Sequence, residues 1–125
     1  MMSIATGGEY IFLKQPLMKA HQKYMEIINT EAHHIPQKVL LASDNISAYK
    51  GITVNLLKDA HKLTNTHHQK PKQGVTGMEA MKEDLANLVD ILQNQYGYTE
   101  RQAKSVCRVV EILNKKIRGL LGVAE

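Results

Sequence analysis

The chain has 125 residues and a formal net charge of +4, with a pI near 9.2. That length suits one domain with its own core, and 43% hydrophobic against 22% charged residues excludes global disorder. A single cysteine excludes an internal disulfide and a cysteine-based zinc centre.

No apolar run approaches the ~20 residues that a membrane span needs, and no membrane partner is expected. The N-terminus lacks a basic start followed by a continuous apolar core, so no signal peptide is expected. A reducing, cytoplasmic setting follows as the expectation.

In chain order, residues 1–15 read as a flexible tail carrying one short apolar segment, Tyr10-Ile11-Phe12-Leu13. That segment reads as a cover for the end of a bundle, with a lone strand or a partner anchor as alternatives. Residues 16–125 read as a helical domain. Pro16 suits a first helical position, and Leu17, His21, Tyr24, Ile28 and Ala32 form a stripe over 16–34 that Pro36 ends.

Val39, Ala42, Ile46, Tyr49, Thr53, Leu56, Ala60 and Leu63 keep alternating spacings of 3 and 4. This predicts one helix over 37–64, with a break at Asp44 as the alternative. Residues 65–75, with Pro71 and Gly74, form a polar loop.

The clearest passage is the last. Met78, Met81, Leu85, Leu88 and Leu92 share one helical face, and so do Ala103, Val106, Val110, Leu113, Ile117 and Leu120. Thr76-Gly77-Met78-Glu79 and Thr99-Glu100-Arg101-Gln102 have the form of capping boxes. Gly97 is placed to stop the first helix in a left-handed cap. So short a connection makes the two helices antiparallel neighbours. Four stripes predict an all-α, four-helix antiparallel bundle, either alone or completed by dimerisation.

Charge is unevenly spread. Glu79, Glu83, Asp84 and Asp90 stand against Lys82 in the first helix of the hairpin, whereas the second carries Arg101, Lys104, Arg108, Lys115, Lys116 and Arg118 against Glu100 and Glu111. Arg101, Lys104, Arg108, Lys115 and Arg118 fall at spacings of 3, 4, 7 and 3, which predicts one outward basic stripe. Lys62, Lys70 and Lys72 add to it from the preceding connection. A stripe of this kind is either a phosphate-tracking surface or a solvated face partly neutralised by the acidic helix. No aromatic residue lies among the cations to stack on bases.

Histidines fall in two adjacent pairs, His33-His34 and His67-His68, together with His21 and His61. Neighbouring histidines in a helix project about 100° apart and cannot grip one ion by themselves. The His67-His68 pair would need a third ligand from elsewhere. No metal or cofactor site is therefore assigned, nor any catalytic residue. Cys107 flanks the core stripe and reads as a small hydrophobe.

Ala60-His61-Lys62-Leu63 resembles part of the histidine-phosphotransfer motif, and Thr64 and Asn65 stand where that family carries a lysine and a small residue. The resemblance implies a four-helix bundle with His61 as phosphoacceptor. From the residues themselves, the expected function is non-enzymatic: binding a protein partner or a second copy of the chain. The alternative is nucleic-acid binding through the basic stripe.

Overall fold

A computed structural model describes residues 3–6, 9–12, 30–64, 70 and 73–122. It corrects the all-α expectation. Four strands, β1 (Ser3–Thr6), β2 (Glu9–Phe12), β3 (Thr30–His34) and β4 (Thr53–Leu57), form an antiparallel sheet in the order β2-β1-β4-β3. The described helices are α1 (Lys38–Ser43), α2 (Lys58–Lys62), α3 (Gly77–Tyr96) and α4 (Glu100–Leu121). The α3–α4 hairpin and the sheet share one apolar core, so the architecture is α+β with a sheet layer and a helical layer.

Within residues 1–15, the described stretches Ser3–Thr6 and Glu9–Phe12 are strands of this sheet. β1 is an inner strand, with Ser3–Thr6 opposite Glu9–Phe12 on one side and Ser3–Ala5 opposite Thr53–Asn55 on the other. Ile4 pairs with Val54 across the sheet, and both side chains are fully buried. The residues between β1 and β2 in sequence are Gly7 and Gly8, the composition that two-residue hairpins favour.

The single helix expected over 37–64 is likewise replaced. α1 ends at Asp44, and Asn45 takes a left-handed φ of 59°, a conformation that asparagine tolerates better than most residues. The chain then enters β4, and Ile52 just before it, with Val54 and Leu56 within it, is buried in the core with a period of two. The 3-and-4 spacing selected Val39, Ala42, Tyr49 and Leu63, all of which are exposed. The end of the helix expected over 16–34 is β3, paired with β4 from Thr30↔Leu57 to His34↔Thr53. The earlier part of that helix, His21 included, lies outside the described residues, as do His67, His68 and Lys72.

The hairpin forms where expected. Thr76 caps α3 by accepting from the Glu79 amide at 3.2 Å, although the Glu79 carboxylate takes the Thr76 hydroxyl rather than closing the box on the backbone. Thr99 and Gln102 form a full capping box. Gly97 has a φ of 71°, and the Tyr98 amide donates to the Leu92 carbonyl at 3.1 Å. The Tyr96 hydroxyl accepts from the Leu57 amide at 2.8 Å, and Asn114 Nδ2 donates to the Ile35 carbonyl at 3.0 Å. These two bonds fasten opposite ends of the hairpin to the last residue of β4 and to the residue that follows β3.

Candidate nucleic-acid interface

α4 presents its buried face through Ala103, Val106, Cys107, Val110 and Asn114. At 100° per residue, Arg101, Lys104, Arg108 and Lys115 lie within about 60° of one another on the opposite side, and all four are exposed. Ser105 and Ile112 share this face, and Ile112 is 54% exposed. Glu100, Arg101, Lys104, Ser105 and Arg108 surround a shallow surface depression.

Arg118 does not belong to this surface. It is 2% exposed, and its Nη1 donates to Asp44 Oδ2 at 2.7 Å. The reason is accumulated rotation: the spacings of 3, 4, 7 and 3 span seventeen residues and fall about 100° short of five full turns, so position 118 ends about 100° from position 101, on the flank of the buried face. Lys62 and Lys70 are exposed, as the sequence suggests.

The ion pairs of the outer face run along α4 itself. Lys104 Nζ is 2.7 Å from Glu100, and Lys115 Nζ is 3.1 Å from Glu111, each one turn away. Glu100 is held below the usual carboxylate range by the Lys104 hydrogen bond and charge. Arg101 and Arg108 make no ion pair among the described residues. The acids of α3 are also fewer at the surface than the sequence suggests, because Asp84 is buried. Burial, followed by the neighbouring Glu83 charge, pushes the Asp84 carboxyl up to about 7.

A second polar cluster lies where α2 meets β3. His61 Nδ1 is 3.2 Å from Glu31 Oε2, and the His61 ring centroid is 5.1 Å from that of buried His33. His61 thus stands on a five-residue helix beside a carboxylate, outside the four-helix bundle that the phosphotransfer resemblance implies. His34 Nε2 meets the Ala48 carbonyl at 3.0 Å, and burial lowers its pKa. Among the described residues, no group of His, Cys, Asp or Glu is arranged to hold a metal ion. Cys107 is buried, its thiol donates to the Leu85 carbonyl at 3.4 Å, and burial pushes its pKa up to about 12. A thiol so raised is not a nucleophile at neutral pH.

Sequence reasoning missed the Glu31–His61 pair, because β3 was read as helix. It also missed Ser105 and Ile112, which the 101, 105, 108, 112 spacing places on the basic face. Comparison with protein-family models, with curated proteins and with solved structures finds no match. No helix among the described residues is long and apolar enough to cross a membrane.

Proposed function

We propose that this chain is a non-enzymatic binding module that engages nucleic acid through the outer face of α4. The observation that carries the reading is that Arg101 and Arg108 are exposed on that face with no ion-pair partner among the described residues. Lys104 and Lys115 pair only one turn along their own helix. Exposed pairs of this type contribute about 0.3–0.5 kcal/mol each, so a phosphate can displace them at little cost. Arginine adds bidentate hydrogen bonding to phosphate oxygens. A cytoplasmic location belongs to the same reading.

The test is titration of labelled DNA and RNA with the purified chain at two salt concentrations. Binding at low salt that weakens steeply with added salt is expected. No binding at low salt would remove the reading.

A protein partner, including a second copy of the chain, is the other reading. It is favoured by Leu120 and Leu121, which are 74% and 43% exposed at the end of α4. Light scattering over a concentration series tests self-association, and a strict monomer throughout would count against it.

A further inference from the structure

We infer that the start of α3 is an oxyanion site that takes a phosphate group, with the Asp44 carboxylate as its internal occupant. The site stands apart from the outer face of α4, because Arg118 lies about 100° around that helix from Arg101.

The first observation is the state of Arg118. It is 2% exposed, and its Nη1 donates to Asp44 Oδ2 at 2.7 Å. Its Nε and Nη2 are buried and have no hydrogen-bond partner among the described residues. A guanidinium carries five N–H donors in a fixed fork, and its Nε–Nη2 edge suits two oxygens of one phosphate. Buried donors without acceptors are costly, so Asp44 alone satisfies this side chain poorly.

The second observation is where the fork lies. A Cβ at Gly77 would stand 2.5 Å from Arg118 Nη2 and 2.8 Å from Asp44 Oδ2. Gly77 is the first residue of α3, which is 20 residues long. The first amides of a helix have no acceptor within it, and the dipole makes that end positive. The Glu79 amide donates to Thr76 Oγ1 at 3.2 Å, and the Ala80 amide donates to the Thr76 carbonyl at 3.0 Å. This cap does not use the amides of Gly77 and Met78. Glu79, the acid in the first turn, is engaged by the Thr76 hydroxyl at 3.0 Å. A buried guanidinium and a helix start thus meet at one place, and the chain itself sets a carboxylate oxygen there.

The third observation is that this occupant is replaceable. The Asp44 side chain is 30% exposed, so it can turn to water without leaving a buried charge behind. It also caps the C-terminal end of α1, where a helix disfavours a carboxylate. Asp44 gives Arg118 one oxygen, whereas a phosphate group brings three acceptor oxygens and more negative charge. Phosphate at a helix start is a recurrent match of ligand and site.

The experiment follows the backbone amides of the full isotope-labelled chain by NMR during titration with inorganic phosphate, with chloride at matched ionic strength as the control. The Gly77 and Met78 amides should shift saturably with phosphate and stay in place with chloride. Asp44→Asn removes the competing carboxylate and should bind phosphate at least about tenfold more tightly. Phosphate should also restore the urea midpoint that this substitution lowers. Gly77→Ala brings a Cβ against Nη2, and Arg118→Lys keeps the charge without the fork; each should weaken phosphate binding at least about tenfold. Should either variant fail to fold, the unsubstituted chain and Asp44→Asn still decide the question.

Gly77 and Met78 amides unmoved by phosphate would overturn the inference. So would a shift that chloride reproduces, or phosphate binding that Asp44→Asn weakens. An oligonucleotide with a terminal phosphate, compared with its unphosphorylated twin, separates the two sources of the group. A larger shift from the phosphorylated strand assigns the site to a nucleic-acid end, and a shift from inorganic phosphate alone assigns it to a small phosphorylated compound; both uphold it.

Discussion

Asp84 and Arg118 are charged residues placed inside the protein, and they behave differently. Asp84 is buried and its Oδ2 has no hydrogen-bond partner among the described residues. Its folded-state pKa of about 7 lies above the ordinary 3.8, so the folded protein favours the protonated carboxyl. The stability that this proton holds is fully present below pH 3.8 and is lost as pH rises through 7. Asp84→Asn should flatten that decline and raise stability above pH 7 by roughly 2–4 kcal/mol. Urea melts of both proteins across the pH range check it, and parallel curves would contradict it.

The Arg118 charge is met by Asp44 at Nη1, while its buried Nε and Nη2 have no hydrogen-bond partner among the described residues, and Gly77 leaves room for the pair. A Cβ at position 77 would lie 2.5 Å from Arg118 Nη2 and 2.8 Å from Asp44 Oδ2. Asp44→Asn leaves the guanidinium buried without its counter-charge and should cost roughly 2–4 kcal/mol, read as a fall in the urea midpoint. Neither residue was placed correctly from sequence. Asp84 reads as one of the acids of the helix by composition, but the 81, 84, 88, 91 spacing sets it between Met81, Leu88 and Ile91 on the core face. Arg118 reads as outward only if spacings of 3, 4, 7 and 3 count as whole turns; over seventeen residues they fall about 100° short.

At the scale of elements, the hairpin is where local chemistry determines structure. Thr99 holds the Gln102 amide at 3.1 Å, and the Gln102 side chain returns to the Thr99 amide at 2.9 Å. Thr99→Ala should destabilise the protein by about 1 kcal/mol, measured by thermal or urea unfolding. Gly97→Ala should cost a similar amount, about 1 kcal/mol, purely from the left-handed φ, because a Cβ there meets nothing within 4 Å. Both helix ends were legible because capping residues and a terminating glycine act locally.

The sheet was not legible in the same way. Its strands are only four or five residues long. β3 is largely polar, and β1 is recognisable only through its long-range pairing with β4. From Ile52 into β4 a strand signal is present in Ile52, Val54 and Leu56, alternating with Thr53 and Asn55. A helical spacing passing through Tyr49, Thr53 and Leu56 competed with it. Leu56→Ala removes a fully buried side chain from the central strand and should cost roughly 2–5 kcal/mol in the same unfolding assay.

Across the whole molecule, the sheet backs the hairpin and commits the inner face of α4 to the core, leaving the outer face to solvent. The candidate surface was partly legible from sequence. Arg101, Lys104, Arg108 and Lys115 were placed outward by periodicity, whereas their pairing within α4 required side-chain geometry. The scaffold fixes the spacing of these cations, because one capped helix carries all of them.

The most direct measurement is the affinity of an Arg101→Glu, Arg108→Glu variant for duplex nucleic acid at low salt, with circular dichroism melting as the check on folding. Both positions are exposed and make no ion pair among the described residues, so the melting curve should not move. Affinity should fall by at least about thirtyfold, since two phosphate contacts are lost and two repulsions gained. A variant that folds normally and binds duplex as tightly as the original chain would contradict the assignment of α4 as the binding surface.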